Sequence, residues 1–226
     1  MFRAFPTLCL ANGYACPALF TATFFYLQTI IFLLLFRKNK NTNPMQLYTE
    51  ITPNPATLKF ISDRILIADG TADFPDESSA ETSLMARKLF QFRFVKSVFI
   101  GRNFVTVTKG EEFKWEDLIP VVKDAIRSFL ESGQPVVESV STGGSTAHAD
   151  DTEVVRRIKQ LIDENVRPAV AMDGGDIVFE GFDDGIVKLR MQGSCQGCPS
   201  STATLKAGIQ GLLTRMVPEV KEVQAV

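Results

Sequence analysis

Histidine and cysteine are scarce in this sequence, and each scarcity excludes a class of protein. The 226 residues include one histidine, His148, and four cysteines. Four cysteines are too few to build a fold on disulfides, so a reducing compartment is expected. The chain shows no nucleophile paired with a base and no phosphate-binding loop, so we assign no catalytic residue and predict a protein that is not an enzyme.

Acidic residues are absent from the first 44 positions, which hold four basic side chains. The remaining 182 residues therefore hold 20 basic and 26 acidic residues, a net charge of −6. An acidic body of this kind lacks the positive surface of a general DNA or RNA binder. No nucleic-acid partner is expected.

Residues 1–44 form an apolar leader. No charged residue lies between Arg3 and Arg37, and the apolar stretch 18–36 is 19 residues long, which is enough to span a bilayer as a helix. Two interpretations stay open: residues 18–36 tether the protein to a membrane, or the leader is not part of the working protein, which then starts at Met45. A membrane partner is expected only under the first. A bacterial cytoplasmic location is expected, with the mitochondrial matrix as the alternative.

The rest of the chain predicts an α+β fold, with two small α+β domains joined by a flexible linker. The domains span residues 45–133 and 151–226, and the linker spans residues 134–150, which are rich in glycine and serine. His148 lies in this linker, where a lone histidine is usually solvated. In the first domain the patterns predict an antiparallel sheet and two helices, with strands at 45–52, 57–62, 65–68, 95–100 and 104–108 and helices at 80–92 and 115–130.

The second domain is predicted to open with a helix capped by Asp151 or Thr152 and stopped by Pro168. A hairpin follows, with strands at 177–182 and 186–192. A second helix begins at Pro199, and a last strand occupies 220–226.

Cys195 and Cys198 form the sequence Cys-Gln-Gly-Cys-Pro between a predicted strand and a predicted helix. Two thiols at this spacing can ligate one metal centre, and Gly193 and Gly197 let the backbone curl around it. Pro199 as the first helical residue places Cys198 beside the positive end of the helix, which favours the thiolate form. We predict that Cys195 and Cys198 are metal ligands.

A complete site needs more thiols than one loop provides, because iron–sulfur clusters and structural zinc commonly require four ligands. Cys9 and Cys16 lie in or beside the apolar leader, where they are expected to be small hydrophobic residues. Each chain therefore brings two thiolates, and the simplest complete site is one cluster that bridges a homodimer. Two alternatives use the same pair: a thiol–disulfide oxidoreductase, and a zinc-bridged dimer.

Residues 187–206, together with the upstream sequence 173–176 (Asp-Gly-Gly-Asp), resemble the NifU C-terminal domain. Residues 49–60 resemble the opening of the Nfu N-terminal domain. The two resemblances together extend from Met45 to the end of the chain, about four-fifths of its length.

This resemblance implies an iron–sulfur scaffold or carrier that binds a [4Fe–4S] cluster and passes it to apo iron–sulfur proteins. It implies that Cys195 and Cys198 are the cluster ligands and that Gly193, Gly197 and Pro199 shape the loop. Upstream cluster donors and client apo-proteins are the implied partners. The first domain is implied to have no ligand of its own and to aid contacts with donors or targets.

Overall fold

The computed structural model describes residues 45–138, 152–197 and 199–226. Both parts of the chain combine helices with a sheet, and the predicted fold of two small α+β domains is confirmed. Both domains lie in one compact unit that spans Met45–Val226. The apolar leader lies outside the described residues. Among the helices that are described, none is both long and apolar enough to cross a membrane.

The first domain is built on a five-stranded sheet in which every pairing is antiparallel. The strands are β1 Leu47–Ile51, β2 Thr57–Ser62, β3 Ala72–Phe74, β4 Val95–Ile100 and β5 Phe104–Lys109. Their order across the sheet is β1-β2-β5-β4-β3. Because successive side chains of a strand point to opposite faces, Leu58 and Phe60 lie on one face and Lys59 lies on the other.

Helices of the first domain pack on the face of the sheet that carries Phe60. They are a 3₁₀ segment at Glu77–Thr82, α1 at Leu84–Phe90 and α2 at Trp115–Glu131. The ring of Trp115, at the start of α2, meets the ring of Phe60 edge to face at 6.4 Å. Buried residues of α1 and α2 form one apolar core with the strands.

The sequence pattern was misleading at residues 65–68, where the predicted strand is absent. The amides of Leu66 and Ile67 instead donate to the carbonyl of Arg102, so this segment crosses the turn between β4 and β5. Ile67 is buried there, which explains its apolar character without a strand. The edge strand that does form, β3, lies in the more polar stretch that follows.

The second domain has a three-stranded sheet covered by helices. Its elements are α3 Glu153–Leu161, a π-helical turn Ile162–Val166, α4 Arg167–Met172, β6 Gly175–Asp183, β7 Ile186–Gly193, α5 Pro199–Met216 and β8 Glu222–Ala225. β6 and β7 form the predicted hairpin, and β8 adds to β7 in parallel. The core combines residues of all three helices with Ile177, Leu189 and Val223 of the sheet.

The sequence predicted that Pro168 stops the first helix of this domain, and this prediction was wrong. Thr152 caps α3, and its hydroxyl accepts the amide of Val155. The chain then passes through the π-helical turn, and Pro168 lies in the first turn of α4. A proline in a first turn removes an amide that needs no helical partner, so the helical path continues to Met172.

Residues 134–138 of the predicted linker pack against the first domain. Val136 is buried in the first core, its carbonyl accepts the hydroxyl of Ser83, and the amide of Glu138 donates to the carbonyl of Thr82. The remaining linker, residues 139–150 including His148, lies outside the described residues.

Candidate metal-binding loop

Cys195 lies in the loop between β7 and α5, at the predicted junction of strand and helix. Gly193 ends β7 with a φ of +64°, and the amide of Gln196 closes a turn onto the carbonyl of Gly193. The hydroxyl of Thr202, in α5, donates to the carbonyl of Cys195 at 3.1 Å. The loop that carries Cys195 is thus tied to the strand before it and to the helix after it.

The thiol of Cys195 is buried, with 6% of the residue exposed. Burial raises the pKa of this thiol to about 11, and the charges of Asp173 and Asp176 act in the same direction, while the hydroxyl of Ser194 lowers it. A metal that binds Cys195 must therefore displace a proton. The thiolate-favouring environment predicted from the sequence concerned Cys198, which lies outside the described residues.

The turn before β6 packs directly against the cysteine loop, because the glycines of this turn have no side chains to keep the two segments apart. A Cβ atom on Gly175 would lie 2.5 Å from the carbonyl oxygen of Gln192 and 2.9 Å from the Sγ of Cys195. The amide of Ser194 donates to the carbonyl of Gly174 at 3.2 Å. The two glycines of the Asp-Gly-Gly-Asp sequence therefore form the floor beneath the thiol, a role that the sequence did not reveal.

Asp176 anchors this turn. Its carboxylate is almost fully buried and accepts Nε of Arg167 at 2.8 Å, the amide of Ile177 at 2.8 Å and the hydroxyl of Thr71 at 2.8 Å. A buried carboxylate is stable only when its oxygens are paired in this way. Because Thr71 belongs to the first domain, the anchor also joins the two domains.

Three further side chains of the first domain reach the same region. The amide of Asn54 donates to the carbonyls of Ser194 and Gln196, at 3.4 and 3.3 Å. The hydroxyl of Thr106 donates to the carbonyl of Gly174 at 2.7 Å, and Nζ of Lys59 donates to the carbonyl of Met172 at 2.9 Å.

Sequence reasoning missed these three residues, because it found no functional group in the first domain. The signal available was the polar side of the sheet: Lys59 and Thr106 alternate with apolar core residues on β2 and β5. Such alternation indicates a second face, but it does not show what covers that face.

Of the predicted ligands, the structure places Cys195 alone, since Cys198 lies outside the described residues, as do Cys9, Cys16 and His148. Within the residues that are described, no group of three or more His, Cys, Asp or Glu side chains is placed to hold a metal ion. The described loop thus contributes one buried thiol on a backbone shaped by glycine.

Two family descriptions match the chain in the order of its two domains. "Scaffold protein Nfu/NifU N terminal" matches residues 47–133, and "NifU-like domain" matches residues 158–224. A solution structure of a NifU-like protein from Saccharomyces cerevisiae is 24% identical, with a TM-score of 0.40, and the match covers 44% of this chain and 90% of that one.

Relatives extend the match over both domains. The human mitochondrial NFU1 iron-sulfur cluster scaffold homolog is 46% identical over 183 residues, 80% of this chain and 72% of the relative. The mitochondrial NifU-like protein 5 of Arabidopsis thaliana is 45% identical over 80% of this chain and 67% of the relative. The chain belongs to the NFU1 and NifU-like family of iron–sulfur cluster scaffold proteins.

Proposed function

We propose that this chain carries a [4Fe–4S] cluster, held between two copies by Cys195 and Cys198 of each, and transfers it to apo-proteins. The observation that carries the proposal is the loop of Cys195: a thiol on a glycine-shaped turn, three residues before a second cysteine. A four-ligand cluster needs four thiolates, and two chains supply them.

Ligation by two chains suits a protein that must release its cargo. Separation of the copies removes half of the ligands at once, and the cysteines of a client can then replace the remaining thiolates one by one. Thiolates are the soft ligands that iron–sulfur clusters require. The cluster is therefore cargo, and no residue of the chain is proposed to be catalytic.

The same cysteine pair could serve a thiol–disulfide oxidoreductase or bind zinc between two chains. Disulfide exchange depends on a thiolate whose pKa is depressed. Burial instead raises the pKa of Cys195 to about 11. A raised pKa disfavours the free thiolate that disulfide exchange needs, and a bound metal would have to displace the same proton. Metal analysis and an assay of disulfide reduction decide among the three functions.

The names of the relatives also suggest where the protein works. Both relatives above are described as mitochondrial. We propose the mitochondrial matrix in place of the bacterial cytoplasm, with upstream cluster donors and apo iron–sulfur proteins of that compartment as partners.

Anaerobic reconstitution with iron and sulfide tests the proposal. The full chain should gain the visible absorption of a four-iron cluster, and Cys195→Ser and Cys198→Ser should each abolish it, because a hydroxyl is a poor ligand for iron. The matched control is Cys9→Ser combined with Cys16→Ser, which should retain the cluster. Stoichiometric zinc, or a metal-free monomer that reduces protein disulfides catalytically, would contradict the proposal.

A further inference from the structure

One face of the five-stranded sheet carries no helix of its own domain. Its central residues are nevertheless buried: Lys59 is 7% exposed, and Thr106 and Phe99 are each 1% exposed. The turn before β6 and the end of β7 cover these residues. The turn before β6 is the floor beneath the thiol, and the end of β7 leads into the cysteine loop.

The hydrogen bonds that three side chains of the first domain donate to this region go to backbone carbonyls and not to side chains. Asn54, Thr106 and Lys59 all donate to carbonyl oxygens, and the two carbonyls that Asn54 binds belong to the residues on either side of Cys195. Donors of this kind recognise a backbone shape, here that of residues 194–196 and of the turn at Gly174.

Two glycines make the approach possible. A Cβ atom on Gly174 would lie 2.8 Å from Oγ1 of Thr106, and one on Gly193 would lie 2.9 Å from Cγ of Phe99. Real Cβ atoms do not come this close to other heavy atoms. The glycines therefore fit the loop to the sheet of the first domain as well as to the thiol.

This arrangement conflicts with a cluster shared by two chains. In a bridging site the Cys195 thiols of two copies must both reach the cluster, whereas the thiol of Cys195 is buried here and Asn54 holds the carbonyls on either side of it. The loop must therefore open before Cys195 can reach a cluster shared with a second copy.

We propose that the polar face of the first-domain sheet is a docking site for the cysteine loop of the same chain. The face holds the loop in the unloaded protein and releases it when the loop takes part in a bridging cluster. Asn54 and Thr106 are the positioning residues of this contact. The release step rests on the proposed function, whereas the docking in the unloaded chain does not.

Two variants weaken the contact without touching the cysteines. Thr106→Val removes the donor hydroxyl and keeps the shape of the side chain. Asn54→Asp keeps the oxygen that accepts the amide of Ala56 but sets a carboxylate against the two loop carbonyls. The matched control is Thr108→Val, on the same strand and the same face, with a half-buried side chain that makes no hydrogen bond to the described part of the loop.

The measurements are amide hydrogen exchange of the peptide that contains residues 193–197 and the rate at which Cys195 is alkylated, both followed by mass spectrometry in the unloaded full chain. Loss of one typical hydrogen bond should increase loop opening about fivefold. We expect this increase in Thr106→Val, a larger one in Asn54→Asp because two hydrogen bonds are lost, and none in Thr108→Val.

The second part of the experiment compares the wild-type chain before and after reconstitution with iron and sulfide. On reconstitution, exchange should rise in the peptides that contain Lys59 and Thr106, because the face is uncovered. If the variants alkylate at the wild-type rate and loading leaves these peptides unchanged, the docking site is contradicted, even though the cluster forms. If no cluster forms in any chain, the proposed function fails, while exchange in the unloaded protein still decides the docking contact.

Discussion

Gly193 and Gly197 flank Cys195 and share a left-handed backbone, but only one of them is crowded. A Cβ atom on Gly193 would lie 2.7 Å from the carbonyl oxygen of Gly174, whereas one on Gly197 would meet no atom of the described residues within 4 Å. Comparison of the two positions therefore distinguishes two reasons why a protein requires glycine, backbone conformation and close packing. Conformation requires it at both positions, and close packing requires it at Gly193 alone.

We expect Gly193→Ala to destabilise the fold more than Gly197→Ala. The left-handed conformation alone costs about 1–2 kcal/mol for a residue with a Cβ, and overpacking adds about 1–3 kcal/mol at Gly193. Urea denaturation of the two unloaded variants measures the difference. Equal losses of unfolding free energy would show that the turn beneath the thiol yields to the added methyl group.

A half-buried carboxyl on β3, that of Asp73, makes stability depend on pH. Burial raises the pKa of Asp73 to about 6, and the charge of Asp176 acts in the same direction, while the backbone of Gly193 and the charge of Arg190 lower it. A carboxyl whose pKa is higher in the folded state than in the unfolded chain binds its proton more tightly when folded. Its contribution is fully present below pH 3.8 and is lost as pH rises through 6.

Asp73→Asn should therefore increase the unfolding free energy at pH 8 relative to wild type, and this advantage should shrink as pH falls below 6. The amide oxygen of asparagine can still accept the hydrogen bond from Gly193. Denaturation at a series of pH values measures the effect, with Asp69→Asn as the control because it removes an exposed carboxylate from the preceding loop. A constant difference between wild type and Asp73→Asn across this range would contradict the prediction.

At the scale of elements, one side chain joins the start of α1 to the chain that follows α2. The hydroxyl of Ser83 accepts the amide of Ala86 at 3.1 Å as the helix cap and donates to the carbonyl of Val136 at 2.7 Å. Ser83 is fully buried. Loss of its hydroxyl leaves two buried backbone groups without this partner.

Ser83→Ala should lower the free energy of unfolding by about 2 kcal/mol, from the lost cap and from the unpaired carbonyl. The control is Ser128→Ala on the exposed side of α2, where alanine favours the helix and should leave stability unchanged or slightly higher. Thermal and urea unfolding measure both variants. A loss in Ser83→Ala no larger than that in the control would show that water replaces the hydroxyl.

Local patterns predicted most of these elements and the position of the cysteine loop. The β6–β7 hairpin and the helix that begins at Pro199 follow from periodicity and turn residues over short stretches of sequence. Pro168 shows where such rules fail, because the packing of Val166 and Val170 into the core continues the helical path past a residue that usually ends one.

Contacts between distant residues could not be predicted from these patterns. Asn54 and Ser194 are 140 positions apart, and Thr106 and Gly174 are 68 apart. Nothing in the local sequence of the first domain indicates that its polar sheet face meets the cysteine loop. The cysteine pair could be proposed as ligands from its local spacing, whereas its surroundings could not be predicted because they are assembled by the fold.

For the whole molecule, a cluster shared by two chains couples metal retention to protein concentration. Binding that requires a dimer is linked by mass action to the monomer–dimer equilibrium, so dilution of the loaded protein favours the form that has lost half of its ligands. A cluster held within one chain would be lost from a monomer in a first-order step, without any accompanying fall in dimer mass.

We therefore expect the visible absorption per chain to fall when the reconstituted protein is diluted anaerobically, with dimer mass and bound iron falling together. At high concentration, iron should saturate at about two atoms per chain, as one four-iron cluster ligated by four thiolates from two chains requires. Static light scattering and iron analysis on the same samples measure both quantities. Four irons per chain in a monomer, retained on dilution, would show that ligands from a single chain suffice and would contradict the bridging site.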